Sequence, residues 1–155
     1  MKYYFSILVL SLSFIINIDA NAITYEVIGP CSEKPVHTGK LNLEDLKTNL
    51  GIFSMTLFDQ QKIPYQGSES GFNSIINTPT GLDAMEVISD TKMRAYGWCF
   101  SVNGISPDVM PDEFFFKNNN DKLVWFFAYS TYDKGEWTDY CTPSYKIKAE
   151  QFCKK

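Results

Sequence analysis

The chain is 155 residues long and carries 14 Lys and Arg against 18 Asp and Glu, for a formal net charge of −4. That length suits one domain of ordinary size. An acidic balance with no basic run argues against nucleic acid and anionic membranes as partners, since both require a cationic face.

Residues 1–22 read as a secretory signal: Lys2, an apolar stretch from Tyr3 to Ile18, then Ala20-Asn21-Ala22 with small residues at a cleavage site. The apolar core is shorter than the ~20 residues that span a bilayer, and Asp19 closes it. Cleavage after Ala22 is therefore predicted, leaving residues 23–155 as a single exported domain without a membrane span. Lys2 and Asp19 leave together, so the net charge stays at −4. A secreted or periplasmic protein is expected.

Ile23, Tyr25 and Val27 alternate with Thr24 and Glu26 and stop at Gly29-Pro30, which predicts a first strand. Lys34 to Leu43 can form a second strand that pairs back on it. Leu43, Leu46 and Leu50 recur at helical spacing with Gly51 as a possible cap, and Ile52-Phe53, Leu57-Phe58 and Gln60-Gln61 suggest a further helix before Pro64. At least one short helix is expected, with the second segment preferred. Gln66 to Ser70 reads as a loop, Phe72 to Ile76 as a strand and Asn77 to Gly81 as a turn, while Met85 to Ile88 suits either a strand or a helical turn.

Tyr96 to Val102 has strand composition and ends at Asn103-Gly104, a dipeptide that supplies positive φ. Trp98, Phe100 and Val102 should share one face of that strand, with Cys99 and Ser101 on the other. Phe114-Phe115-Phe116 and Leu123 to Tyr129, joined by Asn118 to Asp121, predict an aromatic hairpin. Phe100, Phe116, Trp125 and Phe127 are the expected core. The last segment, Tyr145 to Phe152, is open to either strand or helix.

Cys31, Cys99, Cys141 and Cys153 form an even set in an exported domain and predict two disulfides in one of three pairings. With no C-x-x-C and His37 the sole histidine, neither a zinc site nor a redox motif is indicated, and no metal or cofactor is expected.

Gly97-Trp98-Cys99-Phe100-Ser101-Val102-Asn103-Gly104, followed by Asp121-Lys122-Leu123-Val124-Trp125-Phe126, resembles the paired signatures of the transcobalamin-like C-terminal domain family. Ile63-Pro64-Tyr65 and Gly71 to Ile75 are similar to that family as well, so the resemblance covers about Leu50 to Tyr129. It implies an α+β fold of the β-grasp type, a mixed sheet packed on one short helix. It also implies a first strand parallel to the Trp125 strand, which would gather the cysteines at one end of the sheet with the pairing left open. In the cobalamin carriers of that family the ligand is held largely by a separate helical domain that this chain lacks, so cobalamin is not carried over as a cofactor.

His37 has no nucleophile motif beside it, so a catalytic triad is not indicated and an exposed loop histidine is expected. Asp108, Asp112 and Glu113 cluster between Pro107 and Phe114; a small exported hydrolase using Asp108 and Asp112 is one alternative, a solvated acidic loop the plainer reading. The Asn77 to Gly81 turn is similar to a loop of exported chagasin-like peptidase inhibitors, so inhibition of an extracytoplasmic enzyme is a second alternative. The chain holds 12 Phe, 9 Tyr and 3 Trp. Tyr65, Tyr132, Trp137 and Tyr140 stand in polar context, where aromatics serve as contact anchors. The leading expectation is a non-enzymatic binding module that presents these residues to a protein or small-molecule ligand.

Overall fold

The computed structural model describes residues 22–43 and 45–153. The predicted signal, apart from Ala22, lies outside them. Strand β1 (Ala22–Ile28) starts at the expected cleavage point and pairs antiparallel with β2 (His37–Asn42). His37 is thus a half-buried strand residue opposite Val27, not a loop histidine.

Helix α1 (Leu50–Gln61) is the second of the two predicted segments. Its buried side, Leu50, Gly51, Phe53, Ser54, Leu57 and Phe58, follows the helical repeat. Asn49 caps its start by accepting the Ile52 N–H at 2.8 Å, and Lys62 ends it in the left-handed conformation ahead of Pro64. The leucine spacing further upstream does not become helix. Asp45 accepts the N–H of Lys47 through its side chain and that of Thr48 through its carbonyl, a local turn that competes with helix. Gly51, expected as a cap, lies inside α1: a Cβ there would collide with the Glu69 carbonyl of the turn packed against it.

That turn belongs to a hairpin, β3 (Tyr65–Ser68) with β4 (Gly71–Ile75), so the expected loop from Gln66 to Ser70 is in part strand. A single 3-10 turn, Gly81–Ala84, leads to β5 (Met85–Ser89), which resolves the ambiguous segment as strand. Then come β6 (Lys92–Val102), β7 (Lys122–Asp133) and β8 (Glu136–Pro143), and the chain ends in a 3-10 turn, Ser144–Lys146, and the short α2 (Glu150–Cys153).

The main sheet runs in the order β2-β1-β7-β6-β5, with β8 on the second half of β7. Strand β1 is parallel to β7 and all other pairings are antiparallel, so the fold is an α+β, β-grasp-like mixed sheet curled on one main helix. Leu123 and Trp125 of β7, Phe100 and Val102 of β6, and Ile23, Tyr25 and Val27 of β1 form a core with α1. Trp125 is almost fully buried, and its indole Nε1 donates to Ser54 Oγ of α1 at 3.0 Å. All four expected core aromatics, Phe100, Phe116, Trp125 and Phe127, are buried. A second cluster, Tyr96, Phe127 and Ala84, is closed by Phe152 of α2.

Phe114 to Phe116 do not form the predicted hairpin. Both flanks of the first half of β7 are already taken, by β1 and β6, leaving no ladder for a further strand. Instead Phe115 makes one bridge to Asn49, and Phe114 and Phe116 turn edge-on to Phe100 and Phe53. The aromatic hairpin of the fold is β7–β8, where Tyr132 faces Trp137. Asn118 to Asp121 is a turn, held by Asp121. Its buried carboxylate accepts the N–H groups of Lys117 and Asn118, each at 3.1 Å, and Asn103 Nδ2 at 2.9 Å.

The disulfides join Cys31 to Cys153 and Cys99 to Cys141. Ile28, Phe126 and Cys99 lie in one cross-strand row, so both bonds sit toward the end where β1 leaves the sheet. Ser144, fully buried, ties that end together by donating to the carbonyls of Phe127 at 3.0 Å and Pro30 at 3.4 Å.

Candidate functional site

Strand β6 is the longer member of an unequal pair. Its ladder with β7 runs unbroken from Lys92 to Val102, whereas β5 covers only Lys92 to Ala95. Period-2 alternation puts Trp98 and Phe100 on the helix-facing side and Gly97 and Cys99 on the opposite side, as their cross-strand partners Phe127, Trp125, Ala128 and Phe126 require.

Beside the uncovered stretch lies a cleft of about 740 Å³. Trp98 lies at its floor over the buried Phe100 and Trp125, the β3–β4 turn from Gly67 to Asn73 is one wall, and the loop from Ser106 to Pro111 the other. That loop leaves Val109 and Met110 exposed at 44% and 57% on the rim. An aromatic floor with exposed aliphatic groups at the mouth is the usual chemistry of a binding site.

The polar groups around the cleft hold its walls in place. Trp98 Nε1 donates to Thr78 Oγ1 at 2.8 Å, and Ser74 Oγ donates to the Thr78 carbonyl at 2.7 Å, which fixes the floor to the segment after β4. The Asn77 to Gly81 turn is therefore pinned inward by Thr78. Ser70 Oγ donates to Asp112 at 2.7 Å and links the two walls. Glu113 accepts the Met110 N–H at 3.1 Å and caps the 3-10 turn Pro111–Glu113. Of the proposed acid pair, Asp112 is thus engaged in a wall contact while Asp108 is exposed.

On the opposite face, Ala95, Gly97, Ala128 and Ser130 floor a second hollow of about 450 Å³, with Trp137 and Tyr140 at its sides. It exists because β8 bulges: between its pairings to Thr131 and Tyr129 it carries extra residues, with Asp139 and Cys141 at positive φ. The bulge reaches across β7 to Cys99, at a Cα–Cα distance of 5.9 Å. Tyr132, Trp137 and Tyr140 therefore gather around β8, with the Tyr132 and Trp137 rings 5.3 Å apart. Tyr65 is elsewhere, half-buried against Phe58 and Phe72 under the hairpin.

In the sequence Trp98 carries no site signal, and Phe100 and Trp125 read as core. Their place in the cleft follows from the early end of β5, and the unequal lengths of β5 and β6 were the signal that could have shown it.

At the covered end of β6 Glu86 accepts from Tyr96 Oη at 2.6 Å and from Arg94 Nη1 at 3.1 Å, and Arg94 also lies over the Tyr129 ring. The Tyr96 hydrogen bond, with the Arg94 contacts, holds the Glu86 carboxyl below its ordinary value against the opposing effect of burial. Burial, then the bond to Glu86, pushes the Tyr96 phenol far up. This cluster stays ionised as carboxylate and guanidinium across neutral pH and locks β5 to β6.

No protein-family model and no curated protein matches this chain. Among solved structures, it is similar to a protein of Ruminococcus gnavus ATCC 29149 described as a "putative metal binding protein", at 12% identity and a TM-score of 0.44, covering 69% of this chain and 95% of that one. Among the described residues of this chain, no three His, Cys, Asp or Glu side chains are grouped so as to hold a metal ion. No helix among them is long and apolar enough to cross a membrane.

Proposed function

We propose that this protein is an exported, non-catalytic binding module of the transcobalamin-like C-terminal type, whose ligand seats in the cleft beside β6. The observation that carries this reading is the cleft itself, with Trp98 at its floor over buried Phe100 and Trp125, its two walls joined by the Ser70–Asp112 hydrogen bond and Trp98 fixed to Thr78 after β4. A mixed sheet curled on one helix, with the Trp125 strand at its centre, is the fold that the family resemblance implies, and so supports it. Two disulfides support export to an oxidising compartment, secreted or periplasmic.

The test uses a neutral apolar dye, N-phenyl-1-naphthylamine, titrated into the oxidised protein. Saturable one-to-one binding is expected. Asn73→Trp or Ser106→Trp, each of which places a bulky ring at the cleft, should weaken it at least tenfold with an unchanged melting temperature. Equal affinity in both plugged variants would remove the cleft from consideration.

A further inference from the structure

Strand β6 has a gap in the edge that should flank it. At one end β5 stops opposite Ala95. At the other, Val102 exchanges both backbone bonds with Ile105, at 2.9 and 3.0 Å, while the next residue, Asn103, turns its N–H to Lys122 of β7. Val102 therefore points its N–H and C=O away from β7. Backbone direction alternates along an antiparallel strand, so Phe100 and Trp98 point theirs the same way. None of the hydrogen bonds among the described residues reaches those outward groups. Met85 and Ile105 thus bracket a stretch of edge whose outward groups at Trp98 and Phe100 are unpaired, the length of about five extended residues at ~3.3 Å each, with β4 packed nearby.

We propose that this gap receives an extended segment of a partner polypeptide, added as a strand on β6. The inference rests on the reading of the cleft as the ligand site and names its ligand class. Two observations converge on a polypeptide. The outward N–H and C=O groups of Trp98 and Phe100 match a backbone in their own repeat, and unpaired edge groups are a template for another chain. The two faces of the gap open on different hollows, the aromatic cleft on one side and the Gly97, Trp137 and Tyr140 hollow on the other. Alternate side chains of an added strand would fall into one and then the other, so both sites are filled by a single extended segment.

Charge specifies the segment further. The walls and rim, 67–73 and 106–113, contain no Lys or Arg, but they do contain Glu69, Asp108, Asp112 and Glu113. The occupant is therefore a segment of alternating apolar residues, without proline in the paired stretch and flanked by Lys or Arg.

The test selects a phage-displayed random dodecapeptide library on the oxidised protein and synthesises the recovered peptides. Peptides of the stated pattern are expected to be enriched at least tenfold over selection on the Asn73→Trp and Ser106→Trp variants. Binding should slow amide exchange at Trp98 and Phe100 at least tenfold, while Cys99, already paired to β7, is unaffected. N-methylation of the peptide should abolish binding at alternate amides and spare those between. Three results would overturn the proposal: no enrichment over the plugged variants, binding without protection of the two amides, or N-methyl effects without alternation. A concentration-dependent dimer protecting the same amides in the absence of peptide would assign the gap to a second copy, and overturn it as well. If the naphthylamine dye binds the cleft but no peptide protects the edge, strand addition fails while the cleft stands.

Discussion

Replacing Ser54 by Ala tests the joint between helix and sheet. Ser54 is fully buried and its hydroxyl is the partner of the Trp125 indole N–H at 3.0 Å. Trp125 is 1% exposed, so water cannot take over that donor. An orphaned buried N–H costs about 1–3 kcal/mol. Alanine returns roughly 0.5 kcal/mol through its better helix propensity. The net loss should be about 1–2 kcal/mol, or roughly 3–8 °C in melting temperature for a domain of this size. The control is Thr56→Ala on the exposed side of the same helix, where the hydroxyl only back-bonds to the Ile52 carbonyl. Its loss should be neutral or slightly stabilising. Guanidinium unfolding with both disulfides kept oxidised, followed by tryptophan fluorescence, measures both. Were Ser54→Ala to match Thr56→Ala, the indole bond would not be holding helix to sheet.

Cross-link loss should be costlier, because the bonds close loops with sequence separations of 122 and 42 residues. On the chain-entropy account that corresponds to about 5 and 4 kcal/mol. Cys31→Ser with Cys153→Ser, and Cys99→Ser with Cys141→Ser, should each therefore lose several kcal/mol in guanidinium unfolding, and a change below about 1 kcal/mol in either double variant would contradict the account. Acid should also unfold the protein through Asp121 and Glu86. Burial works to raise the Asp121 carboxyl, but the hydrogen bonds from Asn103 and from the Asn118 and Lys117 backbone outweigh it and bring the group below its usual 3.8. Both folded-state values are depressed, so their contributions are complete above the unfolded values near 3.8 and 4.5 and disappear as pH falls through the folded ones. Asp121→Asn or Glu86→Gln should lower stability at pH 7 and flatten its decline below about pH 4.5. An unaltered decline in both variants would place the acid sensitivity elsewhere.

What was readable in the sequence was periodicity. β1 alternates cleanly because it buries one face, β6 was readable from its strand composition rather than from alternating burial, and Asn103-Gly104 does take positive φ, at 52° and 80°. The helix was readable from its i, i+3, i+4 spacing, though only a tertiary contact, the Glu69 carbonyl, explains why glycine stands inside it. β3 was missed because Tyr-Gln-Gly-Ser, largely exposed, has no alternation to read. β8 was missed because Glu-Trp-Thr-Asp-Tyr-Cys-Thr-Pro carries a bulge that breaks its period. The expected Phe114 to Phe116 hairpin was composition without a vacancy, since both sides of that half of β7 were taken. The aromatic surface around Tyr132, Trp137 and Tyr140 was visible as bulky side chains in polar context. The cleft was not, because it depends on where one strand ends relative to another.

The sheet's own edges give a further reason to regard the gap in β6 as a site. A free strand edge recruits other chains unless something blunts it. β2, at one margin, exposes Thr38, Lys40 and Asn42, and a lysine on an edge opposes further pairing. β5, at the other, is short and has a register irregularity between Val87 and Ser89, which spoils it as a template. Between Ala95 and Val102 neither device is present: β6 keeps an unbroken register with β7, and no charged side chain lies from Tyr96 to Val102. The protection there is steric instead. The β3–β4 turn and the loop from Ser106 to Pro111 stand on either side of the cleft beside it. Unlike the β2 and β5 margins, this stretch carries neither a charged side chain nor a register break, which is why strand addition is proposed there and not at those margins.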